Sequence, residues 1–201
     1  MFDCRVQGKS VPTDVLGEFR DSTEWMANPA TLQTRMTEDG YVFLRGVISP
    51  SPIAMARHEV FCRLADAGEI GEPPRDGIFT GQSERATMHP DPGSFWQSVS
   101  EGPALRRVTH GPEIQYTLDT LFGETACGYN FIFLRPGVVG RFTFLHYDLP
   151  FFARGTKNVI TAWTAIGDIP TTDGPLFVLE NSHHFDDLIE PIQQIDYNSK
   201  E

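Results

Sequence analysis

The chain has 201 residues, 40% of them hydrophobic, a length and composition that suit one well-buried globular domain and exclude a disordered segment. Sixteen basic against 27 acidic side chains leave a net charge of −11, which argues against a non-specific nucleic-acid binder, because such proteins present a basic stripe. A large polyanionic ligand is disfavoured on the same ground unless Arg135, Arg141, Arg154 and Lys157 gather into a patch; scattered charges of this kind more often form a solvated face.

In chain order, residues 12–26 place Val15, Leu16, Phe19 and Trp25 at a loose helical spacing. Residues 29–38 predict a short helix closed by Asp39-Gly40, where glycine suits a C-terminal cap. Residues 41–46 read as a strand. Ser49-Pro50-Ser51-Pro52 predicts a helix start, with serine to cap and proline in the first turn. That helix should run to about Ala67, bury Ile53, Ala56, Val60, Phe61 and Leu64, and stop at Gly68. Residues 69–93 are the least regular, punctuated by Pro73-Pro74, Asp76-Gly77 and Pro90-Asp91-Pro92-Gly93. Residues 112–122 predict a further amphipathic helix, ended by Gly123.

From Ala126 the pattern changes. Residues 128–134, 141–148, 159–166 and 176–179 are aromatic and β-branched runs bounded by Gly, Pro and Asp, which is strand chemistry. Four strands with turn-rich joins predict the first half of a double-stranded β-helix. The expected fold class is mainly β with flanking helices. Its core is a double-stranded β-helix (jelly-roll, cupin-like), preceded by a helical and loop-rich part over residues 1–125. The first barrel strands fill residues 126–201, and the barrel is incomplete at the C-terminus. Without repeats or long linkers, residues 1–201 are expected to form a single domain.

Cys4, Cys62 and Cys127 are odd in number, lack C-x-x-C spacing, and read as free thiols in a reducing compartment. The N-terminus has no apolar signal region, and no apolar run is long enough for a membrane span. The expected location is cytoplasmic, with no membrane and no nucleic-acid partner.

The chemistry concentrates at His146-Tyr147-Asp148. On a strand, residues i and i+2 share a face, so the imidazole and the carboxylate converge while Tyr147 points the other way. One nitrogen and one carboxylate oxygen are two of the three ligands of the facial triad that leaves positions open on a non-haem Fe(II). An H-x-D alone is weak, and the pair also reads as an ordinary polar pair on a strand. What strengthens it is the order of the surrounding segments: Phe131-Ile132-Phe133-Leu134-Arg135-Pro136-Gly137 before it, then Trp163-Thr164-Ala165-Ile166, Asp173-Gly174-Pro175-Leu176-Phe177-Val178-Leu179 and Ser182-His183. Asp39-Gly40-Tyr41-Val42-Phe43-Leu44-Arg45-Gly46-Val47-Ile48 is an upstream echo.

Together these segments resemble the phytanoyl-CoA dioxygenase family of Fe(II)- and 2-oxoglutarate-dependent oxygenases, from about Thr37 to His184. The resemblance implies Fe(II) held by His146 and Asp148, 2-oxoglutarate as cosubstrate and O2 as co-reactant. The expected reaction is hydroxylation of an unactivated C–H of a small-molecule or acyl substrate, with succinate and CO2 as coproducts. Related halogenases lack the carboxylate, so Asp148 favours hydroxylation. Trp163 aligns with a tryptophan that lines the 2-oxoglutarate pocket, and Phe131 matches a position near the cosubstrate. By residue type alone each reads equally as a core aromatic, and Trp163 is expected to be largely buried. Residues 69–93 correspond to loops over the active-site mouth, or else form a plain surface connection.

In that family the third metal ligand is a histidine several strands beyond the Ser-His segment, followed by a 2-oxoglutarate-binding arginine. No histidine follows His184 here, and His183 falls where the family has a loop residue that is not a ligand. The resemblance therefore implies a chain truncated before the distal histidine, weakly active or inactive in this form. The alternative function is a non-catalytic truncated barrel that acts as a binding module. His58 reads as a solvent-facing helix residue, and His89, His110 and His183 read as turn or capping residues.

Overall fold

The computed structural model describes residues 4–89, 91–134, 143–152 and 156–194. Strands β1 (Arg5–Val6) and β2 (Lys9–Ser10) form a short antiparallel hairpin. Eight α-helices follow among the described residues: α1 (Pro29–Asp39), α2 (Pro50–Asp66), α3 (Arg85–Met88), α4 (Pro92–Ser100), α5 (Pro103–Thr109), α6 (Pro112–Phe122), α7 (Leu149–Phe152) and α8 (Asp186–Gln193). Single 3-10 turns occur at Thr13–Val15, Thr23–Trp25, Pro74–Asp76, Thr171–Asp173 and Ser182–His184.

This overturns the mainly-β, jelly-roll expectation. The described structure is mostly helical, and its one sheet is the β1–β2 hairpin. The described residues of 128–134, 143–148, 159–166 and 176–179 contain no strand. Arg141 and Phe142 of the second run lie outside the described residues, as do Arg135, Pro136 and Gly137 of the motif. The physical reason lies in what β-propensity measures. Aromatic and β-branched residues fit a pleated surface, but a strand exists only when a partner accepts its hydrogen-bond ladder. Residues 41–46 show the same limit, since their expected strand reduces to a parallel bridge between Phe43 and Asp21. The helical spacing of residues 12–26 likewise yields only two 3-10 turns.

Local signals did better where helix ends are chemically marked. Asn28 caps α1 by accepting from the Thr31 N–H at 3.2 Å, and Gly40 closes it in the left-handed region at φ 74°. Gly123 closes α6 the same way at φ 72°. No described helix is long and apolar enough to cross a membrane.

The chain forms two compact units. One contains the described residues of Arg45–Pro136 and Thr164–Ile169. Its core is built by Ala56, Val60 and Leu64, spaced four apart on one face of α2, with Ala67, Phe95 and Val99 of α4, and Leu105 and Val108 of α5. Ile53 and Phe61, expected in the core, pack against it half-buried. The α2–α5 contact also solves a capping problem. Gly102 precedes α5 with no side chain to offer, and Glu59 of α2 accepts instead from the Ala104 and Leu105 N–H groups at 3.1 and 3.0 Å. A Cβ on Gly102 would run into that carboxylate.

A second polar anchor in this unit is Glu69, which is buried at 5% exposure. Its Oε1 accepts from Ser83 Oγ at 2.5 Å and from Arg85 Nε at 2.9 Å, and Arg85 Nη2 binds the same oxygen. The Arg85 guanidinium in turn lies over the rings of Phe95 and Trp96, 5.1 and 4.7 Å from their centroids.

Between α5 and α6, Arg107 and Glu113 make a bidentate pair at 2.6 and 2.7 Å. Hydrogen bonding from Arg107, and then from the Glu113 backbone, holds the Glu113 carboxyl down to about 2, and the first turn of α6 is a favourable place for that negative charge. The folded-state value lies below the unfolded one, so the contribution is present above the ordinary carboxylate range and is lost as pH falls toward about 2. The pair is exposed and its effect is small. Glu113→Gln is therefore expected to flatten slightly the acid limb of Tm against pH while leaving Tm near neutrality almost unchanged. A variant whose acid limb superimposes on wild type would show that the pair contributes nothing.

The other unit contains the described residues of Met1–Leu44, Gly137–Trp163 and Pro170–Glu201. It holds β1, β2, α1, α7 and α8, with α7 packed against α8. Phe19 stacks on Phe43 and meets Tyr41 edge-on, which fixes the segment after α1.

Candidate functional site

His146 and Asp148 lie in the segment leading into α7, and the Asp148 carbonyl accepts from the Phe151 N–H at 2.9 Å in the first turn. The two side chains meet although the segment is not a strand. His146 Nε2 stands 3.3 Å from Asp148 Oδ1, with both side chains partly open to solvent at 46% and 37%. His146 Nδ1 lies 2.6 Å from the Phe144 carbonyl oxygen. A carbonyl only accepts, so Nδ1 carries the hydrogen and Nε2 is left to face the carboxylate. Thr161 Oγ1 donates to Asp148 Oδ2 at 2.7 Å and so occupies the oxygen that does not face His146. Tyr147 points away and donates from its hydroxyl to the Ser182 carbonyl at 2.8 Å, tying this segment to the Ser182–His184 turn.

This donor set suits a metal ion. With hydrogen on Nδ1, Nε2 faces Asp148 Oδ1, and a cation seated between the two atoms would meet a nitrogen and a carboxylate donor together. Two neighbouring ligands of an octahedral ion at bonds of roughly 2.1 Å stand about 3 Å apart, close to the observed separation. The carbonyl behind the imidazole and the hydroxyl behind the carboxylate are the usual outer supports of metal ligands. Among the described residues, no group of three or more His, Cys, Asp or Glu side chains is placed to hold a metal. The described residues thus bring together two candidate donor atoms.

Residues 36–193 match the phytanoyl-CoA dioxygenase (PhyH) family. The chain belongs to the phytanoyl-CoA dioxygenase family. No match was found among curated proteins or among solved structures. As a family, phytanoyl-CoA dioxygenases are Fe(II)- and 2-oxoglutarate-dependent oxygenases of small molecules that use O2, which makes this member dioxygenase-like at that level.

The other predicted site residues of this phytanoyl-CoA dioxygenase family member are placed as follows. Trp163 belongs to the same unit as His146 and Asp148, but the residue is 53% exposed, so the expectation of a largely buried tryptophan is corrected. No ladder holds its segment against a second layer, and the indole keeps its solvent contact. Phe131 belongs to the other unit, is 62% exposed, and meets Phe133 edge-on at 5.9 Å. His183 lies in the turn expected for it, and its Nε2 donates to the Thr37 carbonyl at 3.0 Å. That hydrogen bond packs the imidazole so tightly on Gly40 that a Cβ there would collide with the ring. His110 follows α5 and reaches the Tyr129 carbonyl at 2.8 Å, and His89 ends α3 against Phe95. Three of the four cations weighed as a basic patch, Arg135, Arg141 and Arg154, lie outside the described residues.

One pairing went unnoticed in the sequence. Cys62 Sγ lies 3.6 Å from His58 Nε2, and the signal for it was the spacing of four on α2.

Proposed function

We propose that this protein is an Fe(II)- and 2-oxoglutarate-dependent dioxygenase that hydroxylates an unactivated C–H of a small-molecule or acyl substrate, with succinate and CO2 as coproducts. His146 Nε2 and Asp148 Oδ1 are two of the metal ligands. The observation that supports this reading is their 3.3 Å approach, with the imidazole hydrogen held on the opposite nitrogen by Phe144. When bound, iron with 2-oxoglutarate and O2 supplies the oxidising power.

The chain's own residues orient and restrain. The Phe144 carbonyl fixes the His146 tautomer, Thr161 holds one carboxylate oxygen so that the other is free, and the Tyr147 hydroxyl anchors the segment to Ser182. Trp163, two residues beyond Thr161 and half-exposed, is the aromatic we assign to the cosubstrate. The assignment of Phe131 to the cosubstrate rests on the family resemblance alone.

The test is succinate release. Protein loaded with Fe(II) under nitrogen and then given 2-oxoglutarate and O2 is expected to form succinate only at a low rate, and Asp148→Ala is expected to form none. Equal succinate from both would sink the ligand assignment. No succinate from wild-type protein that nevertheless binds Fe(II) through His146 and Asp148 would leave the non-catalytic binding module as the better reading.

A further inference from the structure

In the unit built around α2, a cleft of about 350 Å3 opens between one face of that helix and residues 165–168. Ile53, Ala54 and Arg57 form the helix wall, and Ala165, Gly167 and Asp168 form the other. The helical residues are three and four apart, so they present one continuous stripe. The lining is mainly apolar, with one cation and one anion set into it. Arg57 and Asp168 make no ion pair or hydrogen bond with each other or with any other described residue. The Arg57 side chain lies along Gly167, where a Cβ would stand 3.5 Å from Cδ and Nη1.

Two opposite charges that share a mainly apolar cleft without neutralising each other define an electrostatic pattern. A simple anion would satisfy Arg57 and meet Asp168 as a like charge, and a simple cation would do the reverse. We propose that this cleft binds a small zwitterion with an apolar body, of the class of aliphatic α-amino acids. The planar guanidinium of Arg57 receives the carboxylate on two parallel donors. Asp168 accepts from the ammonium group, and the aliphatic side chain covers Ile53, Ala54 and Ala165. This site is independent of the His146–Asp148 pair and of the oxygenase reading.

The probe is L-leucine, titrated into the full chain and followed by calorimetry or ligand-detected NMR. Wild type is expected to bind it saturably. Arg57→Gln and Asp168→Asn are each expected to weaken binding about fivefold, the scale of one solvent-exposed charge pair. Isocaproate, which lacks the ammonium group, is expected to respond to Arg57→Gln and not to Asp168→Asn; isoamylamine, which lacks the carboxylate, is expected to show the reverse. Gly167→Leu fills the cleft and is expected to abolish binding with an unchanged circular dichroism spectrum. If that variant does not fold, the two surface charge variants decide the matter. Absence of saturable leucine binding by wild type, or leucine affinity unchanged in either charge variant, overturns the proposal.

Discussion

Asp148→Ala is expected to weaken Fe(II) binding by at least about tenfold, and His146→Ala by a similar amount, since even outer-sphere losses around metal ligands cost ten- to a hundredfold. Both residues are partly exposed, and their removal leaves the packed cores untouched, so the loss should appear in metal affinity and not in Tm. Thr161→Val is the more discriminating variant. It keeps both His146 and Asp148 and removes only the hydrogen bond to Asp148 Oδ2, so a smaller but definite weakening is expected. Co(II) serves as the spectroscopic stand-in for anaerobic titration. If Asp148→Ala and wild type bind alike, the metal is held elsewhere.

The largest stability effect is expected at the Glu69–Arg85 pair. Arg85→Ala strands a carboxylate that is 5% exposed and strips the cation from the faces of Phe95 and Trp96. Breaking such a buried pair from one side costs about 3 kcal/mol or more, because the remaining charge keeps its desolvation penalty. Ser83 still donates to Glu69 and limits the loss. Adding Glu69→Gln to Arg85→Ala is expected to recover much of it, since the stranded charge is then gone. Urea unfolding of the two single variants and the double variant measures this coupling. A loss below about 1 kcal/mol for Arg85→Ala, or no recovery in the double variant, would show that the pair is not the anchor its burial implies.

What was legible in the chain was what neighbouring residues determine among themselves. Gly40 after Asp39 and Gly123 after Phe122 mark helix ends by local chemistry, and α1, α2 and α6 lie close to where they were expected. The convergence of His146 and Asp148 is a property of three consecutive residues, and it arises in a turn into α7 as readily as on the strand expected there. Helix α4 carried a readable mark as well, since Asp91 accepts from the Gly93 and Ser94 N–H groups, but the surrounding prolines and glycines read as punctuation.

Tertiary structure decided the rest. Whether the aromatic and β-branched runs after Ala126 become strands depends on a partner ladder, which no residue within the run can supply. The start of α5 depends on Glu59, and so on the packing of α2 against it. Burial of Glu69 beneath Arg85, exposure of Trp163, and the presence of Arg57 and Asp168 in one cleft are likewise settled by contacts between distant segments. By itself the sequence determined the family, the two donor atoms of the candidate metal pair and the helices with chemically marked ends, because these depend on residue type and short spacing. Only the folded chain decided which side chains are buried, which charges are paired and which apolar runs find a hydrogen-bonding neighbour, because each of those requires the free energy of contacts made far along the chain.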